Sequence, residues 1–304
     1  MNKTVWLDTD IGDDIDDSYA LALIMGMEDV TLKGISTVYR NVEQRSHIAA
    51  NMVSAFSRYE IPVYAGLDFP EKEPIKKLPY ETFLPDGRPN IAHYSEDMAR
   101  YAYSEEHALD ALERALKEDG ALVLIAIGPL TNVAALVTRS PDILKGRDVI
   151  IMGGTTSPSF PEWNIACDPE AARTVFNAGA NIRLIGLNVT KQCVLWGKDL
   201  EFFRALSSEY GLLQRMTEIW IKNIEGKTNP IMHDPLAASV LTQNFCSFIE
   251  KYVYVPLEKH EGKARGYTWF FDERVPGSSK VKVATGVNRN GFIEFLKETV
   301  GKLK

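Results

Sequence analysis

Six aspartates stand within ten residues near the start of the chain, in the segment 8–17, which we call the acidic turn. Carboxylates held this close repel one another, and a fold tolerates them only where protons, solvent or a cation neutralise part of the charge. The apolar, β-favouring residues 4–7 before it predict a buried strand. The good helix formers at 18–25 after it predict a helix. The aspartates therefore lie on a strand-to-helix turn, where open α/β sheets bind ligands.

The acidic turn has three possible interpretations. It could be a solvated loop that also caps the next helix, since Asp is favoured at helix N-termini. It could bind a hard cation, because aspartate oxygens suit Ca²⁺ or Mg²⁺ and Gly12 permits a tight turn. It could also transfer phosphoryl groups, with Asp8 as nucleophile and Asp10 as acid. The last is disfavoured because Asp16 and Asp17 would repel an anionic phosphate.

Composition and charge exclude several classes of protein. The 304 residues carry 34 basic and 41 acidic side chains, a net charge of −7, which argues against nucleic-acid binding. No apolar run is long enough to span a bilayer, and a strand begins too early for a signal peptide. Three cysteines without metal-ligand spacing predict buried, reduced thiols in a cytoplasmic protein: Cys167, Cys193 and Cys246.

Strand-like and helix-like segments alternate along most of the chain. Strands are predicted at 33–37, 121–127, 148–152 and 182–187, and helices at 43–58, 105–118, 130–138, 169–178, 235–241 and 289–300. Later β-like stretches, at 252–256, 267–271 and 280–285, are close enough together for an antiparallel edge. The pattern predicts an α/β fold with a mainly parallel, twisted, Rossmann-like open sheet and helices on both faces. Without a visible linker or repeat, we expect one domain over residues 1–304.

Three predicted loops could gather around the acidic turn, at 68–97, 153–161 and 222–232. Other polar residues of the chain stand at predicted strand ends or helix starts. Taken singly, these residues have plain interpretations as helix caps or surface groups. Taken together, they suit a ligand site. A backbone carbonyl such as that of Ile127 is a normal Ca²⁺ ligand, and Glu162 and Asn164 can hydrogen-bond sugar hydroxyls. Asp234 can bind a metal, and His233 can donate a proton.

Six motifs, in order, make the chain resemble the inosine–uridine-preferring nucleoside hydrolase family. They lie at 8–17, 128–132, 152–154, 162–165, 168–172 and 233–235, and the resemblance extends to the last predicted helix. It implies Ca²⁺-dependent hydrolysis of the N-glycosidic bond of ribonucleosides to ribose and free base, by a homodimer or homotetramer. A non-catalytic ribose- or Ca²⁺-binding homologue remains an alternative, and an aspartyl-phosphate phosphatase a weaker one.

The resemblance also implies residue roles. The Ca²⁺ ligands would be Asp10, Asp17, the Ile127 carbonyl and Asp234, with Asp10 also acting as general base. The ribose diol would be held by Asp16, Asn41 and Asn164, and the 5′-hydroxyl by Glu162. Our candidate proton donor to the departing base is His233.

Three departures from the family pattern concern the acidic turn and base recognition. The turn is two residues longer than in many members, which makes Asp13 or Asp14 a possible extra ligand. A His-Gly-x-x-Gly stretch is missing from the first long loop, where His93 could replace its histidine. The tyrosines that some members place over the nucleobase are also missing, and Trp220 or Trp196 could substitute for them.

Overall fold

The computed structural model describes residues 2–72, 82–157, 159–205, 211–223, 229–258 and 264–303. Its strands are β1 (Lys3–Thr9), β2 (Val30–Thr37), β3 (Val63–Ala65), β4 (Thr82–Phe83), β5 (Pro89–Asn90), β6 (Val123–Ala126), β7 (Asp148–Met152), β8 (Asn181–Ile185), β9 (Cys246–Tyr254), β10 (Trp269–Phe271) and β11 (Ser279–Val287). Its α-helices are α1 (Asp16–Gly26), α2 (Val42–Ala55), α3 (Ala108–Glu118), α4 (Thr131–Arg139), α5 (Trp163–Cys167), α6 (Pro169–Phe176), α7 (Leu187–Thr190), α8 (Gly197–Ala205), α9 (Gly211–Asn223), α10 (His233–Ser239) and α11 (Arg289–Val300).

A nine-stranded sheet has the order β10-β9-β11-β8-β7-β6-β1-β2-β3. The strands from β11 to β3 are parallel neighbours, whereas β9 and β10 form an antiparallel edge. The predicted α/β fold with a mainly parallel sheet is confirmed. From β1 the chain moves outward to β2 and β3, and then returns to place β6 on the other side of β1. This reversal of strand order is the point where doubly wound sheets bind ligands.

The central strands are apolar on both faces because helices cover both. In β1, Val5 and Leu7 pack into a hydrophobic cluster with residues of α1, α2, α10 and α11. Trp6, between them, packs into a second cluster with residues of α3, α4 and α6. Side chains alternate between the two faces of a strand, so a strand buried on both sides is a continuous apolar run. Helices on both faces were predicted, and the two clusters confirm them.

Most predicted elements are present with shifted ends. β7 and α11 match the predictions at 148–152 and 289–300 residue for residue. The strand predicted at 182–187 ends instead at Ile185, because Gly186 is the N-cap of α7. The predictions missed β3, α5, α7, α8, α9 and the first six residues of β9. The loop predicted at 68–97 contains the β4–β5 hairpin. Its residues 73–81 lie outside the described residues, as do residue 158 of the loop predicted at 153–161 and residues 224–228 of the loop predicted at 222–232.

The structure bears on two further expectations that came from the composition. The three cysteines are buried and form no disulfide, as predicted for structural thiols. Among the helices of the described residues, none combines the length and apolar character needed to cross a membrane. A single domain over 1–304 remains a prediction.

Candidate active site

The acidic turn lies at the reversal of strand order, where β1 and β6 end side by side. The Ile127 amide donates to the Asp8 carbonyl at 2.9 Å, which extends the pairing of these strands up to the turn. The next residue, Gly128, has no side chain where space is scarce. A Cβ there would lie 2.9 Å from both the backbone nitrogen and the Oδ1 of Asp10. The turn after β6 therefore makes room for Asp10.

Three buried carboxylates come together beside this turn. Asp16 and Asp17 begin α1, and Asp234 lies in the first turn of α10. One oxygen of each lies within 4.8 Å of the other two. The Asp234 amide donates to Asp16 Oδ2 at 3.2 Å, and the Thr9 hydroxyl donates to Asp17. Folding thus joins the start of the chain to a residue more than 200 positions away.

Burial makes these acids difficult to ionise. It raises the pKa of Asp16, Asp17 and Asp234 well above the ordinary value, and repulsion between neighbouring carboxylates raises each further. Burial also raises the pKa of Asp10 to about 7, against the opposing effect of the Arg45 guanidinium. A cluster of this kind must take up protons or bind a cation. Its buried oxygen-only donor set fits a hard divalent ion such as Ca²⁺ or Mg²⁺.

The structure brings together most of the predicted metal ligands, with one addition. Asp17 and Asp234 are neighbours, and the charge of Asp10 acts on the pKa of both. Asp16, which we predicted on the ribose, stands in the same triangle. The carbonyl of Ile127 accepts a hydrogen bond from Asn164 Nδ2 at 2.7 Å. The predicted metal-binding and ribose-binding groups are therefore in contact with each other.

Two of the predicted sugar-binding residues also cap helices. The carboxylate of Glu162 accepts hydrogen bonds from the amides of Gly154, Asn164 and Ile165, and so caps α5. The side chain of Asn41 caps α2 through the Gln44 amide at 3.2 Å. The capping interpretation of Asn41 is therefore correct, whereas the plain interpretation of Glu162 as a surface group is wrong, because its side chain is buried. Capping fixes both side chains at the carboxyl end of the sheet.

His233 is the first residue of α10 and precedes Asp234. Its Nδ1 lies 2.6 Å from the hydroxyl oxygen of Thr190, the last residue of α7. The side chain is only partly buried. This hydrogen bond fixes the orientation of an imidazole ring beside the acid cluster.

A family model described as inosine-uridine preferring nucleoside hydrolase matches residues 5–294. The chain belongs to this family. Nucleoside hydrolases are N-ribosyl hydrolases, so the chain is an enzyme that hydrolyses ribonucleosides to ribose and free base. The sequence resemblance is thereby confirmed.

Known nucleoside hydrolases are similar to the chain over nearly its whole length. Uridine nucleosidase 1 of Arabidopsis thaliana is 27% identical, over 97% of this chain and 92% of that protein. The non-specific ribonucleoside hydrolase RihC of Escherichia fergusonii is 29% identical, over 99% of each. Among solved structures, a purine-preferring ribonucleoside hydrolase from Gardnerella vaginalis has a TM-score of 0.83, with 28% identity over 99% of each chain.

The geometry at Asp8 disagrees with the phosphatase alternative. Asp8 is fully buried, and its Oδ1 accepts hydrogen bonds from Ser36 and Asn132. Burial raises its pKa to about 6, against these two hydrogen bonds. A phosphate group has no access to this carboxylate, so Asp8 cannot be its nucleophile.

The three residues proposed for base recognition differ in their surroundings. His93 donates its amide to the Gly12 carbonyl at 2.9 Å, so its loop lies against the acidic turn. Its ring is buried, with no hydrogen-bond partner for either nitrogen among the described residues, and burial lowers its pKa to about 4. Trp220 packs in the hydrophobic core and is 2% exposed, so the fold does not bring it to an open pocket. Trp196 is 55% exposed.

Arg45 is the main residue that our sequence reasoning missed. It is fully buried in α2, and its Nη2 lies 2.6 Å from Asp13 Oδ2. Asp13, a possible extra metal ligand by sequence, is therefore paired with a cation. The sequence of α2 nevertheless indicates that Arg45 is buried. Arg45 shares the spacing of Ile48, Ala49 and Met52, which place it on the apolar, buried stripe.

Proposed function

We propose that this nucleoside hydrolase holds Ca²⁺ at the acid cluster and uses it to cleave the N-glycosidic bond of ribonucleosides. The observation that carries the proposal is the triangle of buried carboxylates at the reversal of strand order. The residues that would hold the ion are Asp10, Asp17, Asp234 and the carbonyl of Ile127, with Asp16 within reach. When bound, the ion would neutralise the cluster, orient the ribose diol and lower the pKa of a water molecule.

Asp10 is the general base in this proposal. It removes a proton from the water that attacks the anomeric carbon. In the metal-free chain burial raises the pKa of Asp10 to about 7, and a bound cation would lower it, so that the carboxylate is ionised and can accept the proton. Positive charge develops on the ribose as the bond to the base breaks, as in glycoside hydrolysis. The surrounding carboxylates would stabilise that charge.

The sugar is held, in this proposal, by Asp16, Asn41 and Asn164 at the diol and by Glu162 at the 5′-hydroxyl. The Nδ2 of Asn164 donates hydrogen bonds to the carbonyls of Ile127 and Met152. Its Oδ1 would accept a hydrogen bond from a ribose hydroxyl. The carboxylate of Glu162 is fixed by three backbone amides. Rigid, buried polar groups of this kind favour a near-attack geometry.

His233 is our proton donor to the departing base. Its Nδ1 contact with Thr190 orients the ring, and Nε2 is the nitrogen that would donate in this proposal. His93 belongs to the proposed base-recognition set, because its loop lies against the acidic turn. Trp220 is not part of this set, since its ring lies in the core. By resemblance we also propose a cytoplasmic homodimer or homotetramer of purine and pyrimidine salvage.

A panel of purine and pyrimidine nucleosides tests the proposal. Released reducing sugar is measured for the metal-stripped chain, with and without added Ca²⁺, and with Mg²⁺ for comparison. We expect ribose release that requires Ca²⁺. Metal-dependent nucleoside binding without ribose release would contradict hydrolysis and support the non-catalytic alternative. Ribose release at full rate without any divalent ion would contradict the role of calcium.

A further inference from the structure

Arg45 binds the backbone of the acidic turn as well as Asp13. Its Nη1 donates to the carbonyls of Asp10 and Ile11, the latter at 3.0 Å. Its Nε donates to the carbonyl of Tyr39 at 2.7 Å. One guanidinium thus joins the ends of β1 and β2 to the side chain of Asp13. Nothing in the proposed chemistry uses this residue.

The contacts hold Asp10 between two fixed groups. The carbonyl of Asp10 is bound by Arg45, and its amide and Oδ1 lie against Gly128. Gly12 adds a further restraint, because its φ is +122° and a Cβ there would lie 2.4 Å from Ile91. The conformation of the turn therefore depends on the Arg45 guanidinium and on the close packing around Gly12 and Gly128.

The local backbone also supports a special role for this arginine. Tyr39 and Arg40 have φ values of 74° and 65°, which are unfavourable for residues other than glycine. Such conformations persist only where the surroundings enforce them, and they cluster at functional sites. The Tyr39 carbonyl is the one that receives Nε of Arg45. Arg45 therefore stabilises both the acidic turn and the strained segment beside it.

We propose that Arg45 is a positioning residue that holds the acidic turn in the shape required to gather the metal-binding carboxylates. This inference rests on the proposed cation site. Two physical models of Arg45 make opposite predictions. If only its charge mattered, removal of a nearby positive charge would tighten the binding of a cation. If it positions the turn, removal would weaken that binding.

A charge-neutral double variant, Asp13→Asn with Arg45→Gln, separates the two models. It removes one positive and one negative charge, so the net charge near the ion does not change. The matched control is Asp110→Asn with Arg139→Gln, an exposed pair at 2.7 Å that joins the first turn of α3 to the last residue of α4. Calcium affinity of the metal-stripped full chain is measured by titration calorimetry, and folding by circular dichroism.

We expect the double variant to bind Ca²⁺ at least about 10-fold more weakly, a loss of about 1.4 kcal/mol, while the control binds as the unmodified chain does. Arg45→Lys keeps the charge but not the fork that reaches several carbonyls. It should therefore also bind Ca²⁺ more weakly, and it decides the question if the double variant does not fold. Unchanged or tighter binding by a folded double variant or by Arg45→Lys would overturn the proposal.

The unmodified chain distinguishes this inference from the proposed function. If it binds Ca²⁺ and releases ribose while the variants bind normally, only the role of Arg45 is wrong. If it binds no Ca²⁺, the cation site itself is wrong and the inference fails with it.

Discussion

Asp10 experiences opposing influences on its pKa. Burial raises the pKa to about 7, and the Arg45 guanidinium opposes that effect. Replacement by Asn keeps the size of the side chain but removes the basic oxygen. We expect Asp10→Asn to lower kcat by about 10²- to 10⁴-fold. We also expect it to leave the melting temperature of the metal-free chain unchanged or higher, since a buried charge is lost. Near-normal ribose release by the folded variant would refute the role of Asp10 as base.

His233 is tested by varying the leaving group. Its ring is oriented through Nδ1 by Thr190. If it protonates the departing base, His233→Ala should slow nucleoside hydrolysis by about 10²- to 10⁴-fold. A nitrophenyl riboside, whose leaving group needs no protonation, should be hydrolysed almost normally. Thr190→Val removes only the orienting hydroxyl. Its rate of nucleoside hydrolysis should therefore lie between the rates of the unmodified enzyme and of His233→Ala. Equal losses on both substrates would exclude His233 as the acid.

At the scale of elements, the turns that flank β6 provide a matched pair of glycines. A Cβ at Gly128 would lie 2.9 Å from Asp10, whereas a Cβ at Gly120 has no atom within 4 Å. Gly128→Ala should therefore displace the acidic turn and destabilise the fold by about 1–3 kcal/mol, with a clear loss of calcium affinity. Gly120→Ala should change neither property. Both are measured by chemical denaturation and calcium titration, and similar behaviour of the two variants would contradict close packing at Gly128.

Strands and helices with a strong local sequence pattern were predictable. The long-range contacts between them were not. β7 and α11 were predicted residue for residue because their apolar spacing is clear within a short window. The acidic turn and the cap at Asn41 were likewise visible, whereas the cap at Glu162 was not predicted. No local pattern fixes the order of strands, however, and that order brings Asp16 to Asp234. Arg45 was missed for the same reason, since its partners come from other elements of the fold.

For the molecule as a whole, the raised pKa values make stability depend on pH. Folding raises the pKa of Asp8 from 3.8 to about 6 and that of Asp10 to about 7. The folded chain therefore holds more protons than the unfolded chain between these values and 3.8. Stability that depends on a raised carboxyl pKa is present in acid and is lost as the pH rises through the folded-state value.

The metal-free chain should consequently melt at a lower temperature at about pH 8 than at about pH 5, because each pKa unit corresponds to about 1.4 kcal/mol. Bound Ca²⁺ would replace the missing protons as the neutralising charge. Added calcium should then raise the melting temperature much more at the higher pH, where the carboxylates are ionised and ready to bind. Thermal melts at both pH values, with chelator and with Ca²⁺, measure this difference directly. A calcium effect of equal size at both pH values would show that the buried acids do not control the stability of the fold.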